Sequence, residues 1–368
     1  MRLDWLTLAG FRSYAQLEWE PDPGVNVIVG RNGAGKTNLL EAVGYLGSLK
    51  SFRGAPDHAL VGYDSEQAYI RGQVTSGSAE ALIELELRRR GGRQARVNTQ
   101  RLARTADLLG HVRFVTFLPE DLDIVKRGPA YRRDFLDSTA VQLWPASHLD
   151  QADFDRALRQ RNAFLKQNDR DEVTLGVWDE RLAQAGGKVM ARRARTVALL
   201  ADHISEVHAD ISGSDGEVRL EYSSGWKGEL DPKVSASEFT QRLVEALGEA
   251  RGRDRERRVT TVGPHRDEPI VMLEGHDSRY HASQGEQRTL TLSLRVASHR
   301  AITDLIDRPP VLLLDDVYSE LDPVRAAALT RALPAAQTLV TTADPADVPL
   351  EGAAWRIEEG RVSRRSAA

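Results

Sequence analysis

The chain has no cysteine among its 368 residues. Disulfides, thiolate metal sites and a cysteine nucleophile are therefore excluded, and a reducing compartment suits the composition. No apolar run is long enough to cross a bilayer. The first residues, Met1-Arg2-Leu3-Asp4-Trp5, place an acid where a secretory leader would carry apolar residues. A soluble, cytoplasmic protein without a membrane partner is expected. A basic field is missing too: 50 Lys and Arg face 54 Asp and Glu, so any nucleic-acid contact must come from local patches. Aromatic residues make up only 6%, with no stacked series, zinc motif or helix-turn-helix spacing for sequence-specific readout. Internal repeats and low-complexity tracts are also absent.

What is present centres on Gly30-Arg31-Asn32-Gly33-Ala34-Gly35-Lys36-Thr37. The apolar run Val25–Val29 leads into it, and Asn38–Val43 leaves it with helical spacing. This is a phosphate loop in its required strand–loop–helix setting. Glycines let successive backbone N–H groups curl toward a polyphosphate, and the helix adds the positive end of its dipole. Lys36 supplies a mobile charge for the β- and γ-phosphates, and the Thr37 hydroxyl can ligate Mg²⁺. The whole loop, Gly30 to Thr37, is expected to bind ATP.

The remaining pattern divides the chain. Strands are expected around Leu3–Thr7 and Leu17–Trp19, at Tyr69–Val74, Ala81–Leu87 and Phe114–Phe117, and a helix over Lys36–Leu49. Beyond residue 120, helical periodicity takes over at 130–143, 147–168, 177–211 and 236–250, with Glu217–Tyr222 as the one strand. Gly186-Gly187 is expected to kink the third of these helices. From Val259 the α/β pattern resumes: strand Pro269–Leu273, helix Gln284–Ile306, strand Val311–Leu314, helix Pro323–Leu333, then strands Thr338–Thr342 and Trp355–Ile357. The tail Arg361–Ala368 is expected to fray. The predicted organisation is an α/β head with a mixed sheet, residues 1–122 and 259–368, split by a mainly helical insert, 123–258.

Val311–Leu314 reads as a buried parallel strand that ends in Asp315-Asp316. In a phosphate-loop ATPase such a strand carries the Mg²⁺-organising carboxylate at its carboxyl edge beside the loop. Asp315 is the expected metal-shell residue with Thr37. Asp316 is placed to orient or deprotonate the attacking water. Ser283-Gln284-Gly285-Glu286-Gln287 opens the helix before this strand. Its spacing fits an ordinary capping box, and equally a second phosphate-binding helix N-terminus.

The order of phosphate loop, Ser-x-Gly-x-Gln, Asp-Asp strand and Ser319-Glu320-Leu321-Asp322 resembles an ABC-type ATPase head. Within that group the chain is similar to the RecF family of bacterial recombination-repair proteins. The likeness rests on Leu8-x-x-Phe11-Arg12-Ser13-Tyr14, Gly30–Ala42, Pro119-Glu120-Asp121-Leu122, Arg132-Arg133-x-Phe135-Leu136-Asp137, Thr261–Asp267, Ser283–Arg288 and Leu313–Asp322. It implies a head that dimerises on ATP, with Ser283, Gly285 and Gln287 acting in trans on the γ-phosphate held by the partner's Lys36. Asp322 then belongs to a loop crossing the dimer interface. It also implies DNA binding, RecR as a partner, and recombinase loading at gaps. Three departures from the broader ABC pattern bear on rate. Ala282-Ser283-Gln284-Gly285-Glu286 replaces the Leu-Ser-Gly-Gly core, Asp316 stands where many relatives have glutamate, and Thr341-Thr342-Ala343-Asp344 occupies the place of the switch histidine. Slow hydrolysis that times dimerisation is expected.

For DNA, Arg88, Arg89, Arg90, Arg93 and Arg96 surround a hairpin tip, with Arg101 and Arg104 behind, and are the candidate phosphate-tracking residues. Arg251–Arg258 reads as a self-paired, solvated face, and Arg192, Arg193 and Arg195 as surface charge. Arg12 and Arg53 lie in loops where they could reach nucleotide, while His265 reads as a hydrogen-bonding loop residue. Rival readings are a transporter ATPase subunit, a long coiled-coil chromosome protein, which the absent heptads disfavour, and a nucleotide-gated protein scaffold that does not touch DNA.

Overall fold

The computed structural model describes residues 1–167, 171–224, 228–229 and 231–365. The chain forms two compact units. The first comprises Met1–Leu122, Glu206–Ser214 and Arg288–Ala368, the second Asp123–Ser205 and Asp215–Gln287.

The first unit holds two six-stranded sheets. One is antiparallel throughout, in the order Tyr14–Trp19, Arg2–Phe11, Gln67–Ser76, Ala79–Arg88, Gln94–Val97, Gln100–Arg101. Period-two burial along Gln67–Ser76 and Ala79–Arg88 puts one face on the core, as their alternating sequences require. The other sheet runs Arg361–Arg364, Ala353–Glu358, Val25–Val29, Thr338–Thr342, Val311–Asp315, Phe114–Phe117. Its strands are parallel except for the first pair, so the sheet is mixed. Val311–Asp315 and Thr338–Thr342 are buried at every residue, which accounts for the apolar run Val311–Leu314 and for the apolar and threonine residues of the other strand.

Helix Lys36–Ser48 packs on this sheet and buries Leu39, Leu40, Val43 and Leu46. It comes close because Gly44 and Gly47 present no side chain. A Cβ on Gly47 would fall 2.6 Å from the Phe114 ring, and one on Gly44 3.3 Å from Leu313. Thr338–Thr342 lies between Val311–Asp315 and Val25–Val29 in the strand order.

The second unit contains helices Pro129–Leu143, Ser147–Lys166 and Ala236–Arg257, and most of Glu172–Ser212. An antiparallel four-stranded sheet accompanies them, ordered Gly228–Glu229, Val218–Ser224, Glu268–Leu273, His276–Asp277. Strand Glu268–Leu273 was expected among the head strands. It instead pairs with Val218–Ser224, and the segment 259–287 groups with the helical unit. Glu172–Ser212 runs as one helix through Gly186-Gly187. These glycines admit a neighbour: a Cβ on Gly187 would lie 2.3 Å from Thr240 Oγ1, and one on Gly186 2.6 Å from Leu243. Phe154, Leu182, Met190, Phe239, Leu243 and Leu247 form the core there. Arg361–Arg364 is a strand rather than a frayed end, and 366–368 lie outside the described residues.

Candidate nucleotide site

The phosphate loop is built on positions only glycine takes without strain. Gly33 has φ +81° and Gly35, which precedes the helix, φ +106°. Tyr14 closes the loop from behind by donating its hydroxyl to Gly35 O at 3.0 Å. A Cβ on Gly35 would also lie 3.1 Å from that hydroxyl oxygen. Lys36 folds back onto the loop, its Nζ donating to Gly30 O at 2.6 Å and to Arg31 O at 3.2 Å. Burial lowers its pKa, against the opposing pull of Asp316 and Asp315.

Thr37 and Asp315 are in contact, with Thr37 Oγ1 donating to Asp315 Oδ1 at 3.1 Å. The Asp315 carboxyl is held above the ordinary carboxylate range. Burial is the main cause, the hydroxyl bonds from Thr341 and Thr37 act against it, and the negative charges of Asp316 and Glu120 add to it. Asp316 takes a left-handed backbone conformation, φ +50°, and its buried Oδ1 accepts no hydrogen bond. A strained acid with an open acceptor beside a second carboxylate suits a ligand that brings a proton or a cation. Among the described residues no cluster of three or more His, Cys, Asp or Glu forms a metal cage. The donor set of one hydroxyl and one carboxylate suits Mg²⁺, which is usually completed by substrate phosphates and water.

Two contributors were not assigned from the sequence. Thr341 Oγ1 donates to Asp315 Oδ1 at 2.7 Å and accepts from Asp316 N–H at 3.0 Å. Glu41, on the buried face of the loop helix, receives the Arg12 guanidinium on both oxygens, at 2.8 and 3.0 Å, together with the Ser51 hydroxyl. Arg12 was a candidate nucleotide contact. It is instead engaged with Glu41 and with Ala59 O, at 3.1 Å, and braces the loop helix. Arg53 contacts Asn38 Oδ1 at 3.4 Å.

Ser283, Gly285 and Gln287 lie in the second unit. Ser283 and Glu286 form the reciprocal capping box: Ser283 N–H donates to Glu286 Oε2 at 2.7 Å, and Glu286 N–H to Ser283 Oγ at 3.3 Å. Gln287 points inward, donating to Ser278 O at 3.2 Å and Arg279 O at 3.3 Å. It anchors the short helix Ser278–His281 to the start of Gln284–Ile306. Asp322 caps Pro323–Ala332 by accepting from Val324 N–H and Arg325 N–H. In the helix Gln284–Ile306, Arg288 donates to the Glu320 carbonyl and pairs with its carboxylate at 3.1 Å. Asp121 of the Pro-Glu-Asp-Leu motif receives Leu118 N–H and pairs with Arg295.

The basic hairpin is partly committed to architecture. Arg89 donates to Ser65 O and Tyr63 O, each at 2.9 Å, and to Gly62 O. Arg93 holds Leu49 O and the Tyr45 hydroxyl, and Arg88 pairs with Glu86. Arg90, Arg96 and Arg101 are exposed, with Arg96 and Arg101 opposite each other across a strand pair. Arg251 pairs with Asp179 and Glu172, and Arg255 with Glu172, so these charges are held by the helix Glu172–Ser212 rather than by acids of their own run, and Asp254 is buried against Arg161. Arg193, read as surface charge, is in fact buried, holding Asp137 at 2.6 Å and Pro264 O at 2.6 Å. His265 is a hydrogen-bonding residue, its Nε2 3.1 Å from Thr260 O.

A phosphate loop whose threonine meets the carboxyl-edge aspartate of a mixed sheet, in a chain with a large helical unit, defines an ABC-type ATPase head. The family model for the RecF/RecN/SMC N terminal domain matches residues 2–349, and the chain belongs to the RecF family. It is 40% identical to the DNA replication and repair protein RecF of Streptomyces avermitilis, over 99% of this chain and 100% of that protein. A protein of the same description from Arthrobacter sp. is 37% identical over 97% of each chain. The solved structure described as the recombination mediator protein RecF-ATPrS in the RecFOR pathway is 31% identical. It superposes with a TM-score of 0.90 over 99% of this chain and 98% of that one.

Proposed function

We propose that this chain is an ATP-dependent recombination mediator that binds DNA and dimerises on ATP. The head-plus-helical-lobe division, the ATP and Mg²⁺ site and the trans role of Ser283, Gly285 and Gln287 all belong to this reading. The observation that carries it is the Thr37–Asp315 contact at 3.1 Å beside a loop of left-handed glycines. In the loaded state Lys36 swings its ammonium from Gly30 O and Arg31 O toward the β- and γ-phosphates. Thr37 and Asp315 would hold the metal, and the backbone N–H groups of Gly30–Thr37 would donate to phosphate oxygens. Bound Mg²⁺ supplies charge neutralisation on the transferring phosphoryl group. Asp316, whose Oδ1 accepts no protein hydrogen bond, orients the attacking water. Its short side chain and the absence of a histidine in Thr341–Asp344 make hydrolysis slow and regulatory.

Among the arginines of the hairpin, Arg90 and Arg96, with Arg101, are exposed and are the proposed phosphate contacts. Binding is by charge and shape at gapped or junction DNA, with RecR as protein partner, in the cytoplasm. Gapped-duplex binding across a salt series, with ATP and without, tests this reading. ATP-dependent affinity should fall steeply with salt, and replacing Arg90 and Arg96 by alanine should reduce the logarithmic salt slope by about 2. Single-turnover ATP cleavage by the same preparation should be slow. One observation favours the scaffold reading: Arg89 and Arg93 are engaged with their own chain. Binding with neither ATP dependence nor salt slope would select that scaffold.

A further inference from the structure

We propose that Thr341 is a positioning residue of the metal–nucleotide site, holding Asp315 and Asp316 in one geometry while Thr37 changes partners. The role rests on the nucleotide-binding reading above. Strand order creates it. Thr338–Thr342 is the strand between the one that enters the phosphate loop and the one that ends in the two acids. Thr341 lies opposite Asp315 on one side and Ile28 on the other, and is 1% exposed.

From that position a single hydroxyl serves both acids. It donates to Asp315 Oδ1 at 2.7 Å and accepts from Asp316 N–H at 3.0 Å. The same N–H also reaches Thr341 O at 3.2 Å, so the left-handed turn at Asp316, φ +50°, is pinned to one residue of the neighbouring strand. Asp315 Oδ1 thus has two hydroxyl donors, Thr341 at 2.7 Å and Thr37 at 3.1 Å.

The two donors are not equivalent. Thr37 lies in the first turn of the loop helix, and its hydroxyl oxygen would serve a bound metal, at the expense of its bond to Asp315. Thr341 is buried in the sheet and has no ligand to turn to. Its bond remains and keeps the carboxylate from rotating, so Asp315 meets the incoming cation already oriented. Orientation paid in advance lowers the cost of binding at the metal step alone. A Val side chain at 341 keeps the shape, and Asp316 N–H keeps its bond to the backbone carbonyl of residue 341. What is lost is the hydroxyl link.

The test uses the full chain, a fluorescent ATP analogue and a MgCl₂ titration, with parallel binding in EDTA, for the parent, Thr341→Val, Thr341→Ala and Thr341→Ser. Loss of one hydrogen bond to a charged group predicts that the half-saturating Mg²⁺ concentration rises about tenfold in the valine variant. Affinity in EDTA should be unchanged, and serine should restore the parent response. The alanine variant carries the same expectation and serves if the valine variant fails to fold. A parent-like Mg²⁺ response in both hydroxyl-less variants would overturn the role, as would an equal loss with and without Mg²⁺. A parent chain that binds no nucleotide in either condition would overturn the nucleotide reading itself, and this role with it.

Discussion

At residue scale, several charged and polar groups are engaged with backbone carbonyls rather than with opposite charges. Lys36 and Arg93 hold carbonyls of residues that must curl, and buried Arg161 bridges Asp179 and Asp254 at 2.7 Å each. Two histidines, His299 and His265, follow the same pattern and give the fold a pH signature. His299 Nε2 lies 3.0 Å from Pro310 O and His265 Nε2 3.1 Å from Thr260 O; burial, the dominant cause, lowers each pKa to about 4. Unfolded, each titrates near pH ~6.5. Between those values the unfolded chain binds protons that the folded chain refuses. This contribution is fully present above about pH 6.5 and is lost as pH falls toward 4, by up to roughly 3 kcal/mol per histidine. Urea midpoints should therefore drop between about pH 7 and 5, and drop less in His299→Gln. An identical pH dependence in that variant would contradict this origin.

At the scale of elements, glycine marks close approach more than flexibility. Helices Glu172–Ser212 and Ala236–Arg257 meet at Gly187, where a Cβ would also fall 2.7 Å from the Ala236 carbonyl and the Thr240 nitrogen. Backbone cannot yield as a flexible side chain does. Gly187→Ala should destabilise by about 3 kcal/mol or more. Gly248, in the interior of Ala236–Arg257, has nothing within 4 Å of its would-be Cβ, and Gly248→Ala should stabilise by about 1 kcal/mol through helix propensity. Thermal melts of the pair, shifting in opposite directions, check the claim; a shared sign would refute it. From sequence alone Gly186-Gly187 reads as a kink, because periodicity shows a weak point in a helix but not what lies across from it.

At the scale of the whole molecule, local pattern was legible and neighbourhood was not. The helix expected over Gln284–Ile306 has those bounds, and the one expected over Lys36–Leu49 ends at Ser48. Strand Val311–Asp315 and its two acids are where the apolar run places them. From sequence Thr341 reads only as standing where a switch histidine would be; its bonds to both acids are not legible there, because strand order is not written in alternation and only that order sets it between loop and acids. Arg12, Arg89 and Arg93 were read as available charge because their acceptors are distant in sequence: Glu41, the carbonyls of 62–65, and Leu49 O. The segment 259–287 was assigned to the head by its α/β texture, yet its strands pair within the second unit.

In the proposed function the phosphate loop is half of a site that a second copy of the chain completes. Solution mass measured by light scattering with ATP, with ADP and without nucleotide tests it most directly, for the parent, Lys36→Met and Ser283→Arg. The parent should dimerise with ATP alone. Both variants should remain monomeric, the first because it loses the γ-phosphate contact and the second because bulk replaces the hydroxyl at the start of Gln284–Ile306. Normal ATP-driven dimerisation of Ser283→Arg would contradict the claim.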